Sequence, residues 1–302
     1  NQKAKEQLIK HPYANHEIIH ELSKMRRLFN QIFCKDLIGK APTGRSMGAV
    51  LDLASGVVDG GGTGAGNPSI SGASGLENSY IVDGVNITNA GYGSIGSYSI
   101  VYGSLGSGVN FDFVDTVQVK SGGFEAEYGQ ALGGVVNVIT KRGSNELKGS
   151  VFGYWSPSFL ESTRRPVFLT EGSANITKTE SRDLGAEVGG PIIKDKLLFF
   201  AAFNPQQSIV GRKAPETLDS DGEREFPLSA LGEQFTVRNR ESYAGKLSWN
   251  VVDNHRLELS VFGDPGRGLY GPQSGGYLLN QDRSSYSQLD FGGTNWVTRY
   301  EG

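Results

Sequence analysis

His16-Glu17-Ile18-Ile19-His20 is the sharpest chemical pattern in the chain. Residues four apart share one face of a helix, so His16 and His20 there can hold a zinc ion with Glu17 as general base. That would be a zinc peptidase. The context opposes it: too few residues precede His16 to build the sheet that normally backs such a helix, the other histidines are His11 and His255, and Glu21 sits where an uncharged residue is usual. The plainer reading is a helix surface. Gly60 to Gly66 lacks the Lys-Ser/Thr of a phosphate-binding loop and reads as an ordinary loop. Cys34 is the only cysteine, which excludes an intrachain disulfide, and it reads as a buried apolar filler. No Ser/His/Asp or Cys/His set can be assembled. The sequence therefore assigns no catalytic residue, no cofactor and no metal site, and the chain is read as a non-enzyme.

Composition narrows the classes further. Gly accounts for 43 of 302 residues without a Gly-X-Y period, which fits tight turns, kinks and loops rather than collagen. The formal net charge of −3 gives no sign of a nucleic-acid partner. No apolar run is long enough for a transmembrane helix. Transmembrane β-strands are only about 9–11 residues long and alternate in polarity, so they escape such a search.

Three zones follow along the chain. In residues 1–40, Ile18, Ile19, Leu22, Met25, Leu28, Phe29, Ile32 and Phe33 recur at helical spacing, which predicts a helix. Residues 41–143 are Gly-rich with short β-like runs. There Ser46 is placed to cap a short helix carrying Val50, Leu51 and Leu53. Tyr80 to Val82 reads as a strand entering a turn at Asp83–Gly84, and Thr116–Lys120 and Val135–Thr140 read as further strands. Residues 144–302 carry longer alternating segments: Leu147–Trp155, Asp183–Gly190, Lys196–Phe203, Tyr243–Val251, His255–Gly263 and Ser287–Tyr300. In the fourth of these, Tyr243, Leu247, Trp249 and Val251 share one face, and Ala244, Lys246, Ser248 and Asn250 the other. A barrel wall with a lipid face and a polar lumen requires such alternation, and a half-buried soluble sheet shows it too. Short connections at 191–196 and 253–255, set against long polar segments at 156–182, 204–241 and 264–285, favour the barrel.

Several blocks carry a resemblance. FVDTVQVKSGGFEAEYGQALGGVVNVITKRG, from Phe113, closely resembles the end of the plug domain of TonB-dependent outer-membrane receptors. APTGRSM, with Pro42, Gly44 and Arg45, looks like the early plug segment, although Ala41 stands where Leu is usual. ENSYIVDGVNITN looks like the plug strand that ends in the Asp83–Gly84 turn. GAEVGGPIIKDKLLFFAAFN and KLSWNVVDNHRLELSVFGD resemble early barrel hairpins of the Oar-like branch. The blocks span about residues 41–302 in the family's order.

The resemblance implies an α+β plug domain followed by antiparallel strands of an incomplete transmembrane β-barrel. The divisions are residues 1–40, a helical N-terminal segment; 41–143, the plug; and 144–302, the first part of the barrel. It implies a place in the cell outer membrane, contact with its lipid, and uptake or signalling driven by the TonB complex through a segment not in this sequence. Siderophores, glycans and peptides all remain open as the extracellular substrate. The plug-motif residues singled out are Pro42, Gly44, Arg45, Asp83, Gly84, Glu127, Tyr128, Gly129, Gly133, Gly134 and Asn137. Gly133 and Gly134 are expected to let plug backbone lie against the barrel wall. Val135, Val136, Val138 and Ile139 are expected to be buried, with Asn137 satisfying buried polar groups. Glu125, Glu127, Lys141 and Arg142 are candidates for ionic contacts, and Tyr92, Tyr98 and Tyr102 for cargo contacts. Such receptors have about 22 strands, whereas the residues after Gly143 suffice for about six, so the sequence reads as a fragment. An adhesion or surface-interaction protein that keeps the barrel without import is the alternative function, and the zinc peptidase the third.

Overall fold

A computed structural model describes residues 30–34, 46–58, 67–99, 101–124, 128, 131–162, 175–213, 232–252, 254–273 and 286–302. In chain order the elements are β1 (Asn30–Cys34), α1 (Met47–Leu51), β2 (Val57–Val58), β3 (Ser69–Ile70), β4 (Ser79–Val82), β5 (Val85–Asn86), β6 (Ser97–Ser99), β7 (Gly103–Gly106), β8 (Val114–Lys120) and β9 (Val135–Thr140). The long strands follow: β10 (Lys148–Ser156), β11 (Asn175–Ile193), β12 (Leu197–Lys213), β13 (Glu233–Val252), β14 (His255–Gly263), β15 (Gly266–Gly271), β16 (Ser287–Phe291) and β17 (Thr294–Glu301). The chain divides into two compact units. One holds Asn1–Ile95 and Asp115–Ile139; the other holds Gly96–Val114 and Thr140–Gly302.

The first unit is built on a five-stranded sheet in the order β1-β8-β9-β4-β5. Strands β4 and β9 run parallel, and β4 and β5 form a hairpin. The hairpin's two loop residues, Asp83 and Gly84, have φ of 48° and 91°, the positive pair that a tight two-residue hairpin requires. Tyr80, Val82, Val117, Val119, Val135, Val136 and Val138 are fully buried in this sheet. Ser46 caps α1 by accepting a hydrogen bond from Ala49 N at 3.2 Å, and α1 buries Met47, Val50 and Leu51.

Four expectations change here. Residues 30–34, placed in a helix by spacing, form strand β1 against β8, with Phe33 opposite Val117. Period-two burial of Phe33 with Ile32 exposed, together with a ladder of backbone bonds, overrides a local helical pattern. The remainder of that predicted helix, including His16 to His20, lies outside the described residues. Cys34 is exposed rather than buried, because it alternates with Phe33 on the edge strand. Leu53 falls in the turn after α1 and is exposed. Ile139 points away from Val138 and is 43% exposed.

The second unit is an antiparallel sheet following the path β10-β11-β12-β13-β14-β17, with β15 pairing β13 and β16. Tight turns at Lys194–Lys196 and around Asn254 join the hairpins, with Asp195 and Asn254 at φ of 62° and 66°. Strands β14 and β15 run along β13 as one interrupted stave. The interruption falls at Asp264–Pro265, where proline can donate no ladder bond. The segments 156–182, 204–241 and 264–285, read from the sequence as loops, are partly strand: β11 begins at Asn175, β12 runs to Lys213, β13 starts at Glu233 and β15 covers Gly266–Gly271. Polar residues on both faces hid these extensions. The 20-residue β13 spans about 65 Å at strand rise, roughly twice the thickness of a bilayer's hydrocarbon core.

This sheet has inverted amphipathicity. Across β12, β13, β14 and β17, Phe199, Leu247, Leu259 and Thr298 lie in register, as do Leu197, Trp249, Leu257 and Tyr300. Leu247, Trp249, Leu259, Trp296 and Tyr300 on that face are exposed. The opposite face buries Asn204, Ser242, Lys246, Ser248 and Ser260 beside Phe200, Ala202, Ala244 and Phe262. A water-soluble sheet does the reverse. A wall with hydrocarbon outside and a polar interior has this pattern. Among the described residues no helix is long and apolar enough to cross a membrane.

Candidate functional site

The polar face of the second unit is occupied by its own segment, residues 96–114 with β6 and β7. Side chains of the sheet and its connections hold it through backbone groups of Tyr102, Leu105 and Gly108 and through the Asn110 side chain. Arg238 Nη2 donates to Tyr102 O at 3.3 Å and to Gln273 O at 2.8 Å. Arg240 Nη2 donates to Leu105 O at 2.6 Å. Gly108 N donates to Asp264 Oδ2 at 3.0 Å. Asn110 Nδ2 donates to Asn204 Oδ1, and Asn204 in turn bonds Asp183. Arg238 and Arg240 share a face because they alternate along β13 with Thr236 and Ser242.

The segment that leads into β10 is fixed on the same strands. Lys246 is 6% exposed and its Nζ donates to Thr140 O at 3.1 Å. Lys141 Nζ meets Glu187 Oε2 at 2.6 Å with both side chains largely buried. A Cβ on Gly143 would lie 2.2 Å from Phe199 O, so only glycine permits this approach. Asn145 Oδ1 accepts from Asp195 N at 2.8 Å. The expected ionic role of Lys141 is thus met by Glu187. Glu125 and Glu127 lie outside the described residues.

The plug-motif residues do not converge on one point. Pro42, Gly44, Arg45, Glu127 and Gly129 lie outside the described residues. Tyr128 has the Lys120 ammonium 4.1 Å from its ring centroid. Asp83 N donates to Val138 O at 2.9 Å, tying the hairpin turn to β9. The close approach that Gly133 and Gly134 serve is inside the first unit. A Cβ on Gly133 would sit 2.5 Å from Asn78 Oδ1, and one on Gly134 2.5 Å from the Ile70 side chain. Asn78 accepts from Gly134 N at 2.9 Å and donates to Pro68 O at 2.7 Å. Asn137, half-buried, has its Nδ2 3.5 Å from Gln118 Oε1. Tyr80 is buried between Asn78 and Asn67, and burial, partly offset by the Asn78 bond, pushes its phenol up to about 12.

Sequence reasoning missed Asn110, Asn204, Arg238, Arg240 and Asp264. The signal was the alternation of Thr236, Arg238, Arg240 and Ser242, which is invisible once residues 204–241 are read as loop. Tyr92, Tyr98 and Tyr102, offered as cargo contacts, are half-buried. Among the described residues no group of three metal-ligating side chains gathers.

Residues 31–135 match the TonB-dependent Receptor Plug Domain, and residues 139–286 match an Outer membrane beta barrel domain. The TonB-dependent transporter Oar of Myxococcus xanthus is 32% identical over 69% of this chain and 21% of its own length. A probable TonB-dependent siderophore receptor, PirA of Acinetobacter baumannii, is 30% identical over 53% of this chain and 18% of its own. The chain therefore spans about a fifth of the length of these relatives. Among solved structures, the Escherichia coli outer membrane transporter YddB superposes with a TM-score of 0.58 at 19% identity, covering 80% of this chain and 33% of that one. A ferric enterobactin receptor mutant from Pseudomonas aeruginosa superposes with a TM-score of 0.57 at 18% identity, covering 91% and 38%. At such identities these two show a shared fold.

Proposed function

We propose a role in energised uptake or signalling, from the premise that this chain belongs to the TonB-dependent outer-membrane receptors and carries their plug domain with the first strands of the barrel. It is an outer-membrane protein. The observation that carries the functional reading is the strand wall with an apolar exposed face and a polar face filled by residues 96–114. Filling a lumen with a segment held by hydrogen bonds blocks passage yet leaves contacts that force can rearrange. We place the plug–barrel boundary near residue 143, with β1 joining the plug sheet. TonB is the proposed partner and source of work. The relatives named as siderophore receptors make a ferric siderophore the first cargo to try, with glycans and peptides after it. We read the chain as a receptor and not an enzyme, since the residues engaged on the polar face hold backbone rather than forming a nucleophile–base pair.

The test is depletion of compounds from spent medium by cells expressing the receptor from its full reading frame, with and without TonB. At least one compound should be depleted only when both are present. Depletion of none, or depletion independent of TonB, would favour the surface-interaction alternative.

A further inference from the structure

We propose that Asp264, with Arg238 and Arg240, positions residues 101–113 on the strand wall, acting as a latch read from the barrel side that opens locally. This rests on the receptor reading for its purpose, though not for its test.

Three observations carry it. First, the latch grips backbone. Arg238 and Arg240 bind the carbonyls of Tyr102 and Leu105, and Asp264 takes the Gly108 N–H. The charged groups lie on β13 and in the break between β14 and β15, so the segment's side chains, including Tyr98 and Tyr102, contribute nothing to these three bonds. Hydrogen bonds to charged groups are the strong ones, so these three add to the burial of Leu105, Val109 and Phe113 in holding the stretch. Second, the fit is steric as well as polar. Gly106 lies against the Asp264 carboxylate so closely that a Cβ would sit 2.2 Å from Oδ2 and 3.0 Å from Cγ. Third, the seam is only partly satisfied. Asp264 Oδ1, Arg238 Nε and Arg240 Nε are buried and have no hydrogen-bond partner among the described residues, and Arg212 and Arg240 both repel the Arg238 charge. A half-satisfied buried network is costly to keep closed. The three bonds hold the segment against that cost, and loss of one tips the balance.

The geometry makes a specific demand. The three atoms nearest to a Gly106 methyl all belong to the Asp264 carboxyl group. Gly106→Ala should therefore open the segment in the native background and do nothing more once Asp264 is alanine. Amide hydrogen exchange of the intact receptor, purified in detergent micelles, reads this directly without cargo or TonB. Asp264→Ala and Gly106→Ala are each expected to speed exchange in residues 101–113 by about tenfold or more, as loss of a bond to a charged group implies. Exchange in β8 and β9 should stay unchanged, and the double variant should match Asp264→Ala alone. Exchange within about twofold of native in Asp264→Ala, additive effects in the double variant, or equal acceleration in β8 and β9 would each overturn the latch. Failure of TonB-dependent uptake would leave these exchange results untouched, so the two readings fail separately.

Discussion

Alanine at Gly133 tests whether the glycines of the plug motif serve space or backbone conformation. Gly133 is not in the left-handed region, so alanine is tolerated by the backbone, and the cost is steric. The new Cβ would lie 2.5 Å from Asn78 Oδ1 and 3.2 Å from the Glu77 carbonyl. Over-packing of this kind costs about 1–3 kcal/mol. The Asn78 side chain, 4% exposed, must then move. Its bonds to Gly134 N and Pro68 O suffer, and each buried group left unpartnered adds about 1–3 kcal/mol. With one such group left unpartnered the sum is about 2–6 kcal/mol, a large share of the roughly 5–15 kcal/mol typical of a domain. Gly84→Ala is the control. Nothing lies within 4 Å of its Cβ position, but its φ is +91°, so its penalty is conformational, about 1–2 kcal/mol. The assay is amide exchange of β4 and β9 in the intact receptor, where Ser79 N bonds Gly134 O. Opening should become easier in Gly133→Ala by clearly more than in Gly84→Ala. A Gly133→Ala change under about 0.5 kcal/mol, the size of an ordinary surface substitution, would refute the close-packing argument.

Two further outcomes follow from the same geometry. Leu259→Arg, on the exposed apolar face in register with Leu247 and Phe199, should destabilise the receptor in lipid vesicles by about 2–4 kcal/mol, whereas on a water-facing sheet it would be nearly neutral; urea titration of the vesicle-inserted protein measures it. Tyr80, whose phenol is raised from 10.0 to about 12 by burial, is held protonated in the fold more tightly than in the unfolded chain. Its contribution is complete below pH 10 and is lost as pH rises through 12, about 3 kcal/mol in all; Tyr80→Phe should flatten the stability curve across that window, as alkaline denaturation would report.

Much of this was legible in the sequence, for physical reasons that differ by element. Asp83–Gly84 announced its hairpin because few residues take positive φ in succession. Ser46 announced α1 because a hydroxyl satisfies an orphan amide. Val135 to Thr140 read as a strand because the apolar run was short and β-branched. Phe33 misled, since a two-residue apolar pair fits helix and strand alike and only the partner strand β8 decides. The strand extensions at 204–213 and 233–241 were lost for a related reason: outside the lipid both faces of a strand can be polar, and period-two patterning disappears. With them went Arg238 and Arg240, whose function depends on sharing a face. Asp264 was never visible, because its partner is a backbone amide far along the chain.

The most direct test of the central claim, a strand wall with lipid on one side and a polar, segment-filled face on the other, is an accessibility scan along β13 and β14. In a Cys34→Ser background, spin labels would be placed one at a time at Leu247, Trp249 and Val261, and at Ala244, Ser248 and Ser260. With the intact receptor in lipid bilayers, the first set should be relaxed by oxygen dissolved in the hydrocarbon and shielded from a water-soluble nickel chelate. The second set should be shielded from oxygen. The reverse pattern, or no alternation between the sets, would contradict the account.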